Sequence, residues 1–321
     1  MERTFLRIAL AAASFYLSVG AAHAAYPERP IRFIVPFPPG GSTDVIARTL
    51  QPQAEKLLGQ PVIIENRPGA GGTTGIDAVA KSVPDGYTIG MAAAGALVIN
   101  PHLQAMPFDP LKDLTPITRV VESPFILAAT PSLAADSLRD LIAQANNGSS
   151  STIGYGGNGT AMHLTAEMFN SRAGVRIGLV PYRGTAQVVT DLIGGHLTLG
   201  IVDPPPSLSA IRSGQIKGIA VSWEQRFPLL PEIPTFEEQG LSGFHATGWF
   251  GIVAPAGCPA EIVAKLNRAF VAALRSDDAM ARVRAAGMEP TPMTAAEFAS
   301  YIQAESQKWG ATIARAGVKG N

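Results

Sequence analysis

The stretch Val35-Pro36-Phe37-Pro38-Pro39-Gly40-Gly41-Ser42-Thr43-Asp44 constrains the fold more than any other part of the chain. A short apolar run, Ile31 to Val35, enters it, and a helical pattern from Val45 to Leu58 leaves it. The prolines fix φ and remove N–H donors. The two glycines let the backbone come close to a ligand. Ser42 or Thr43 is placed to cap the helix. The segment therefore reads as strand, stiff loop and helix N-terminus. First-turn amides lack partners within a helix, and the helix dipole favours an anion beside them. Local sequence leaves two readings open: a cradle for a carboxylate or phosphate, or a tight turn that holds nothing.

The same unit recurs. A strand at Pro61 to Glu65 runs into a glycine-rich loop, Asn66 to Gly75, and a helix over Ile76 to Lys81. Pro84-Asp85-Gly86 makes a turn, and a strand at Tyr87 to Met91 enters Ala92-Ala93-Ala94-Gly95. This β-α-β-α-β order predicts a parallel sheet with right-handed crossovers. Ligands of open α/β sheets sit at the carboxyl ends of strands, so the three loops share one edge of a cleft. A second set follows, with strands at Thr152 to Tyr155, Ile177 to Val180, Leu197 to Val202 and Ile216 to Val221. Their loops are Gly156 to Thr160, Pro181 to Thr185 and Asp203-Pro204-Pro205-Pro206. A late strand, Trp249 to Ala254, and helices over Ala260 to Ser276, Ala279 to Ala286 and Ala295 to Ala314 return to the first unit.

The expected fold class is α/β with two lobes, each a mostly parallel sheet flanked by helices, and a ligand cleft between them. Residues 25–129 and 249–321 form the first lobe and 130–248 the second. The crossings fall near Ala128 to Pro131 and near Gly248 to Ala254. Facing loops on two lobes suit closure on a ligand.

Residues 1–24 read as a secretory signal peptide. Arg3 and Arg7 precede the apolar run Ile8 to Val19, and Ala22-His23-Ala24 is an A-x-A cleavage site. The mature chain is expected in the periplasm, without a lipid anchor. Basic and acidic residues balance at 25 each, with no basic stripe, so no nucleic-acid partner is expected. Cys258 is the single cysteine, which leaves no internal disulfide and no thiolate metal site. The five histidines lack metal-ligand spacing, and no metal or cofactor is expected. Enzymatic readings are weak. Ser42, His163 and Asp203 supply the atoms of a triad without a G-x-S-x-G elbow. The proline-glycine loop lacks the lysine of a P-loop.

An ordered set of motifs carries a resemblance. Tyr26-Pro27 opens the mature chain, followed by Val35 to Gly41 with Asp44, Glu65 to Gly72, Pro84 to Thr88 and Asn100-Pro101-His102-Leu103. Gly159-Thr160 with His163-Leu164, Val180 to Gly184 and Ala254 to Gly257 come later. Together they resemble the Bug family, the extracytoplasmic solute receptors of tripartite tricarboxylate transporters, over essentially the whole mature chain. The resemblance implies a type II periplasmic-binding-protein-like fold, hinge closure and no catalysis. It implies a small organic mono- or dicarboxylate ligand, handed to membrane transporter subunits by a monomeric receptor. Carried onto this sequence, the ligand-binding candidates of the first lobe are Phe37, Pro39, Gly40, Gly41, Ala70, Gly71, Thr73 and Ala94. Those of the second are Tyr155, Gly157, Asn158, Thr160, His163, Gly184, Thr185 and Asp203.

Some positions keep two readings. Thr160 caps a helix or touches ligand. His163 is a structural hydrogen-bonding group or a ligand contact. Asp203 holds an ammonium or hydroxyl, or caps the turn before the prolines. Tyr155 stands where smaller residues are common, and narrows the pocket or stacks on an aromatic ligand. Arg183 stands where lysine is frequent and is solvated, ion-paired or a carboxylate partner. Trp249 and Phe250 read as core and hinge packing. An exported hydrolase-like enzyme and a ligand-binding sensor subunit are the alternative functions.

Overall fold

The computed structural model describes residues 26–316; the expected signal peptide lies outside them. The first sheet has the order β11-β4-β10-β3-β1-β2. Its strands are β1 (Ile31–Val35), β2 (Val62–Asn66), β3 (Thr88–Ala93), β4 (Leu114–Pro124), β10 (Thr247–Pro255) and β11 (Glu289–Pro290). The second has the order β7-β6-β8-β5-β9. It is built from β5 (Ile126–Ala129), β6 (Thr152–Tyr155), β7 (Gly178–Pro181), β8 (Leu199–Val202) and β9 (Lys217–Val221).

Both sheets are mixed in a regular way. β1 pairs in parallel with β2 and β3, and β6 with β7 and β8. The antiparallel strands inside each sheet are those that arrive from the other one: β10 between β3 and β4, and β5 between β8 and β9. The reason is geometric. Strands that form βα units end at the gap between the sheets. A strand crossing that gap begins there, so it must run the other way.

The crossings differ from expectation. β4 passes directly into β5 at Phe125, and the return reaches β10 through Ala246. They do not fall at 129/130 and 248/249, and β5 belongs to the second sheet. A continuous strand needs no turn residues, so Pro131 was a misleading marker. β4 itself escapes a reading by pattern, because Pro116, Arg119 and Glu122 interrupt its apolar residues. Pro116 is accommodated opposite Val253, where the register of β4 against β10 shifts.

Helix α1 (Ser42–Leu58) and helix α8 (Ala260–Leu274) cover one face of the first sheet. Ile46, Leu50, Leu266 and Phe270 bury Ile31, Phe33 and Val35 there. The other face packs Ile34 against Ile76 of α2 (Thr73–Ala80). With both faces covered, β1 is apolar apart from the exposed Arg32. Trp249 packs edge-on against Phe298 and Tyr301 of the C-terminal helix, with centroids 5.8 and 5.4 Å away.

Ser222 ties the two crossings together. Its N–H donates to Phe125 O (2.9 Å), and its Oγ accepts from Phe125 N (2.8 Å). The same Oγ donates to Ala246 O (2.5 Å), and Ala246 N donates to Ser222 O (3.0 Å). Ser222→Ala leaves Phe125 N–H and Ala246 O without the hydroxyl in a buried site. The expected loss is about 1–3 kcal/mol of unfolding free energy, read from urea denaturation. A loss below about 0.5 kcal/mol would show that these crossing strands do not depend on the hydroxyl.

Candidate functional site

Each loop facing the gap leaves the carboxyl end of a strand and opens a helix. The first side presents residues 36–41 before α1, 67–72 before α2, and Ala94 before the π-helical turn Gly95–Ile99. The second side presents 156–160 before α5 (Ala161–Ala173) and 182–184 before α6 (Thr185–Ile193). Asp203 follows there, before α7 (Pro204–Arg212).

The first loop is held by a buried carboxylate. Asp44 Oδ2 accepts from Gly40 N (3.0 Å) and Arg48 Nε (2.9 Å). Asn66 Nδ2 donates both to Asp44 Oδ1 (2.9 Å) and to Phe37 O (3.0 Å). Burial works to raise the Asp44 carboxyl, but hydrogen bonds from Arg48, Gly40 and Asn66 outweigh it and hold it below the usual range. The N-cap of α1 is Gly41, with no side-chain bond, rather than Ser42 or Thr43. Asp44, in the first turn, reaches back to the loop instead. Ser42 is buried and its Oγ has no partner.

On the second side Thr160 is the N-cap of α5. Its hydroxyl donates to Gly157 O (2.8 Å) and accepts from His163 N (3.3 Å). His163 Nδ1 accepts from Gly159 N (3.3 Å), so the neutral ring carries its proton on Nε2, 3.7 Å from Glu167. Burial lowers its pKa from the ordinary histidine value. Tyr155 is buried and stacks on His163 at 4.7 Å, with its hydroxyl on Asn158 Oδ1 (2.5 Å). The tyrosine thus shapes the loop from beneath. Ser42, His163 and Asp203 form no hydrogen-bonded relay.

The two sides meet backbone to backbone. Gly71 has φ +61°, and a Cβ there would collide with the Asn158 carbonyl. A Cβ on Gly95 would lie 2.8 Å from Gly159 O, and one on Gly159 would land on the Asn100 amide. Asn100 is buried and donates to Thr73 Oγ1 (3.1 Å). The motif Asn100-Pro101-His102-Leu103 carries no sign of this contact. A Cβ on Gly184 would touch Pro38 at 3.4 Å.

Two cavities flank the contact. The outer one, about 460 Å³, is lined from both sides, by Phe37, Ala70 and Gly71 and by Gly157, Asn158 and Arg183. The inner one, about 40 Å³, is lined by Phe37, Ala94, Thr160, Met162, Asp203 and Phe250 among others. Of the expected residues, Pro39, Gly40, Gly41, Thr73, Tyr155, His163, Gly184 and Thr185 line neither. They build the loops that do. Phe125, Met162 and Phe250 of the inner wall were not expected there, because an apolar residue at a cavity looks like core in sequence.

A larger cavity, about 740 Å³, is elsewhere. It lies across the crossing strands, where Glu122 and Thr247 face it while their neighbours Ser123 and Gly248 face the inner cavity. Arg119 is paired there with Glu122 and Lys308 with Glu305 (2.9 Å), His245 lies 3.2 Å from Glu237, and Arg172 and Glu224 complete the charged lining. No glycine loop of the βα units reaches it.

Asp203 is 2 % exposed, and its Oδ1 has no hydrogen-bond partner. Burial raises its pKa; the nearby hydroxyls of Ser42 and Thr185 oppose this and do not overcome it.

Two α/β halves with facing helix N-termini, joined by crossing strands, define a two-lobed solute-binding protein. The family model for the tripartite tricarboxylate transporter family receptor matches residues 46–318. The chain is 39% identical over 298 residues to Protein BugT of Bordetella pertussis, covering 92% of this chain and 91% of that one. Periplasmic binding protein BugD superposes with a TM-score of 0.88 at 32% identity, over 92% of this chain and all of that one. An R. palustris protein solved with adipate gives 0.88 at 33% identity, over 92% and 100%. MatC from Rhodopseudomonas palustris with bound malate gives 0.86 at 31%, over 90% and 100%. The chain belongs to the tripartite tricarboxylate transporter receptor family.

Two predictions follow from the geometry. Gly71→Val adds a side chain at a left-handed position against Asn158, at a conformational cost of about 1–2 kcal/mol. The variant should keep its circular dichroism but show a larger radius of gyration in solution scattering. An unchanged radius would mean the sides do not meet in solution. For Asp203, the unfolded chain releases its proton at the ordinary pKa while the folded chain keeps it to higher pH. Folded stability therefore falls as pH rises from that pKa through the raised one. Asp203→Asn should raise the melting temperature of the unliganded protein at pH 7 and leave it unchanged near pH 3. A lower melting temperature at pH 7 would contradict a destabilising buried carboxyl.

Proposed function

We propose that this chain is an exported, periplasmic receptor that closes on a small organic mono- or dicarboxylate and delivers it to the membrane subunits of a tripartite transporter. It acts as a monomer, without cofactor and without catalysis. Its halves behave as lobes hinged at Phe125 and Ala246. The observation that carries this reading is the opposition of helix N-termini, α1 against α5 and α6, with glycine backbone around the cavities between them. Such a site stabilises an anion through main-chain amides and dipoles, without a buried cation. Relatives solved with adipate and malate support the choice of carboxylate.

Within this reading Phe37, Ala70, Gly71, Ala94, Gly157, Asn158, Thr160 and Asp203 face the ligand. Pro39, Gly40, Gly41, Thr73, Tyr155, His163, Gly184 and Thr185 set the loops around it. Arg183, at the outer cavity, offers a cation to a second carboxylate.

A thermal-shift screen of mono- and dicarboxylates tests the proposal. A ligand at 100 times its Kd stabilises by about 2.7 kcal/mol through mass action. A clear rise in melting temperature is expected with at least one acid, recovered chemically unchanged. Absence of any shift, together with turnover of a small ester, would replace the receptor by the enzyme reading.

A further inference from the structure

Asp203 occupies a position where a carboxylate normally has work to do for its own helix. It is the N-cap of α7, in an extended conformation, yet makes no side-chain cap bond. The sequence explains this. An N-cap oxygen accepts from the amides of the second or third helical residue. Here the first three helical residues are Pro204, Pro205 and Pro206, and none has an N–H. The backbone is anchored by other means, since Ser207 Oγ donates to Asp203 O (2.8 Å). The side chain is left without a helix amide to cap, although the hydroxyls of Ser42 and Thr185 lie close enough to act on it. It is turned into the inner cavity, buried, with Oδ1 unmatched.

Across the gap is a second unmatched atom, Ser42 Oγ, at the first residue of α1. The hydroxyl of Thr185, on the same side as Asp203, lies 3.4 Å from Met162 Sδ and also acts on the Asp203 carboxyl. The cradle proposed for the ligand carboxylate is the N-terminus of α1, so Asp203 lies beside the bound anion. Two carboxylates close together in a buried site repel unless a donor lies between them.

We infer that ligands of this receptor carry a hydroxyl or ammonium on the carbon next to the gripped carboxylate, and that Asp203 accepts its hydrogen bond. The inference rests on the carboxylate-receptor reading and narrows it to α-hydroxy and α-amino acids. Family membership does not decide the matter, because adipate has no such donor and malate has one. Ser42 completes the site as the hydroxyl nearest the cradle on the opposite half.

The test compares matched pairs by calorimetry: malate with succinate, aspartate with succinate, and lactate with propionate. The substituted acid of at least one pair should bind tenfold or more tightly than its plain partner, and Asp203→Asn should reduce that ratio to about threefold or less. The wild-type ratios stand alone if the variant fails to fold. Equal affinity within every pair that binds would overturn the inference while leaving the receptor reading intact. So would preference for the plain acid with proton uptake, in which Asp203 itself supplies the hydrogen. Failure of every carboxylate to bind would overturn both, and is recognised because no pair then gives heat.

Discussion

Strand polarity is the constraint from which the site follows. In both sheets the βα strands run toward a shared gap, so the N-termini of their helices converge on it from two sides. Each brings unpartnered amides and the positive end of a dipole. A gap so surrounded is electropositive before any charged side chain is placed. The crossing strands keep that arrangement by running against their neighbours, and Ser222 binds both crossings at one point.

Two aspartates show how differently the same side chain is used in this field. Asp44 is saturated: an amide, a guanidinium and a carboxamide share its oxygens, and it holds the first loop. Asp203 is deprived by the prolines that follow it and faces the cavity with an unmatched oxygen. Hydrogen bonding lowers the one pKa against burial; burial raises the other. The first is scaffold and the second is available for chemistry. A charge count alone would treat them as equivalent.

The sequence made the βα units legible because loops of Gly and Pro punctuate short apolar runs, as at Ile31 to Gly41 and Thr152 to Thr160. It also located the loops of both sides, from Phe37 to Asp203. It did not reveal β4, whose Pro116, Arg119 and Glu122 belong to a strand only because β10 pairs with it. The crossing at Phe125 was equally silent, since a strand changing sheets needs no turn. Side-chain roles were least accessible. Tyr155 reads as a pocket residue, but its ring lies on His163 and its hydroxyl on Asn158, contacts that exist only after folding. The inner wall of Phe125, Met162 and Phe250 carries no pattern that separates it from core.

The meeting of Gly71 with Asn158, and of Gly95 with Gly159, also bears on how the halves come together. Side chains at such a seam would yield by changing rotamer, and the spacing would vary with whatever lay between. Main chain does not yield. The seam is a contact of main chain with main chain, which has no rotamer by which to adjust its spacing. In such a device the limit is set by main-chain atoms, those of Gly71 against Asn158 and of Gly95 against Gly159.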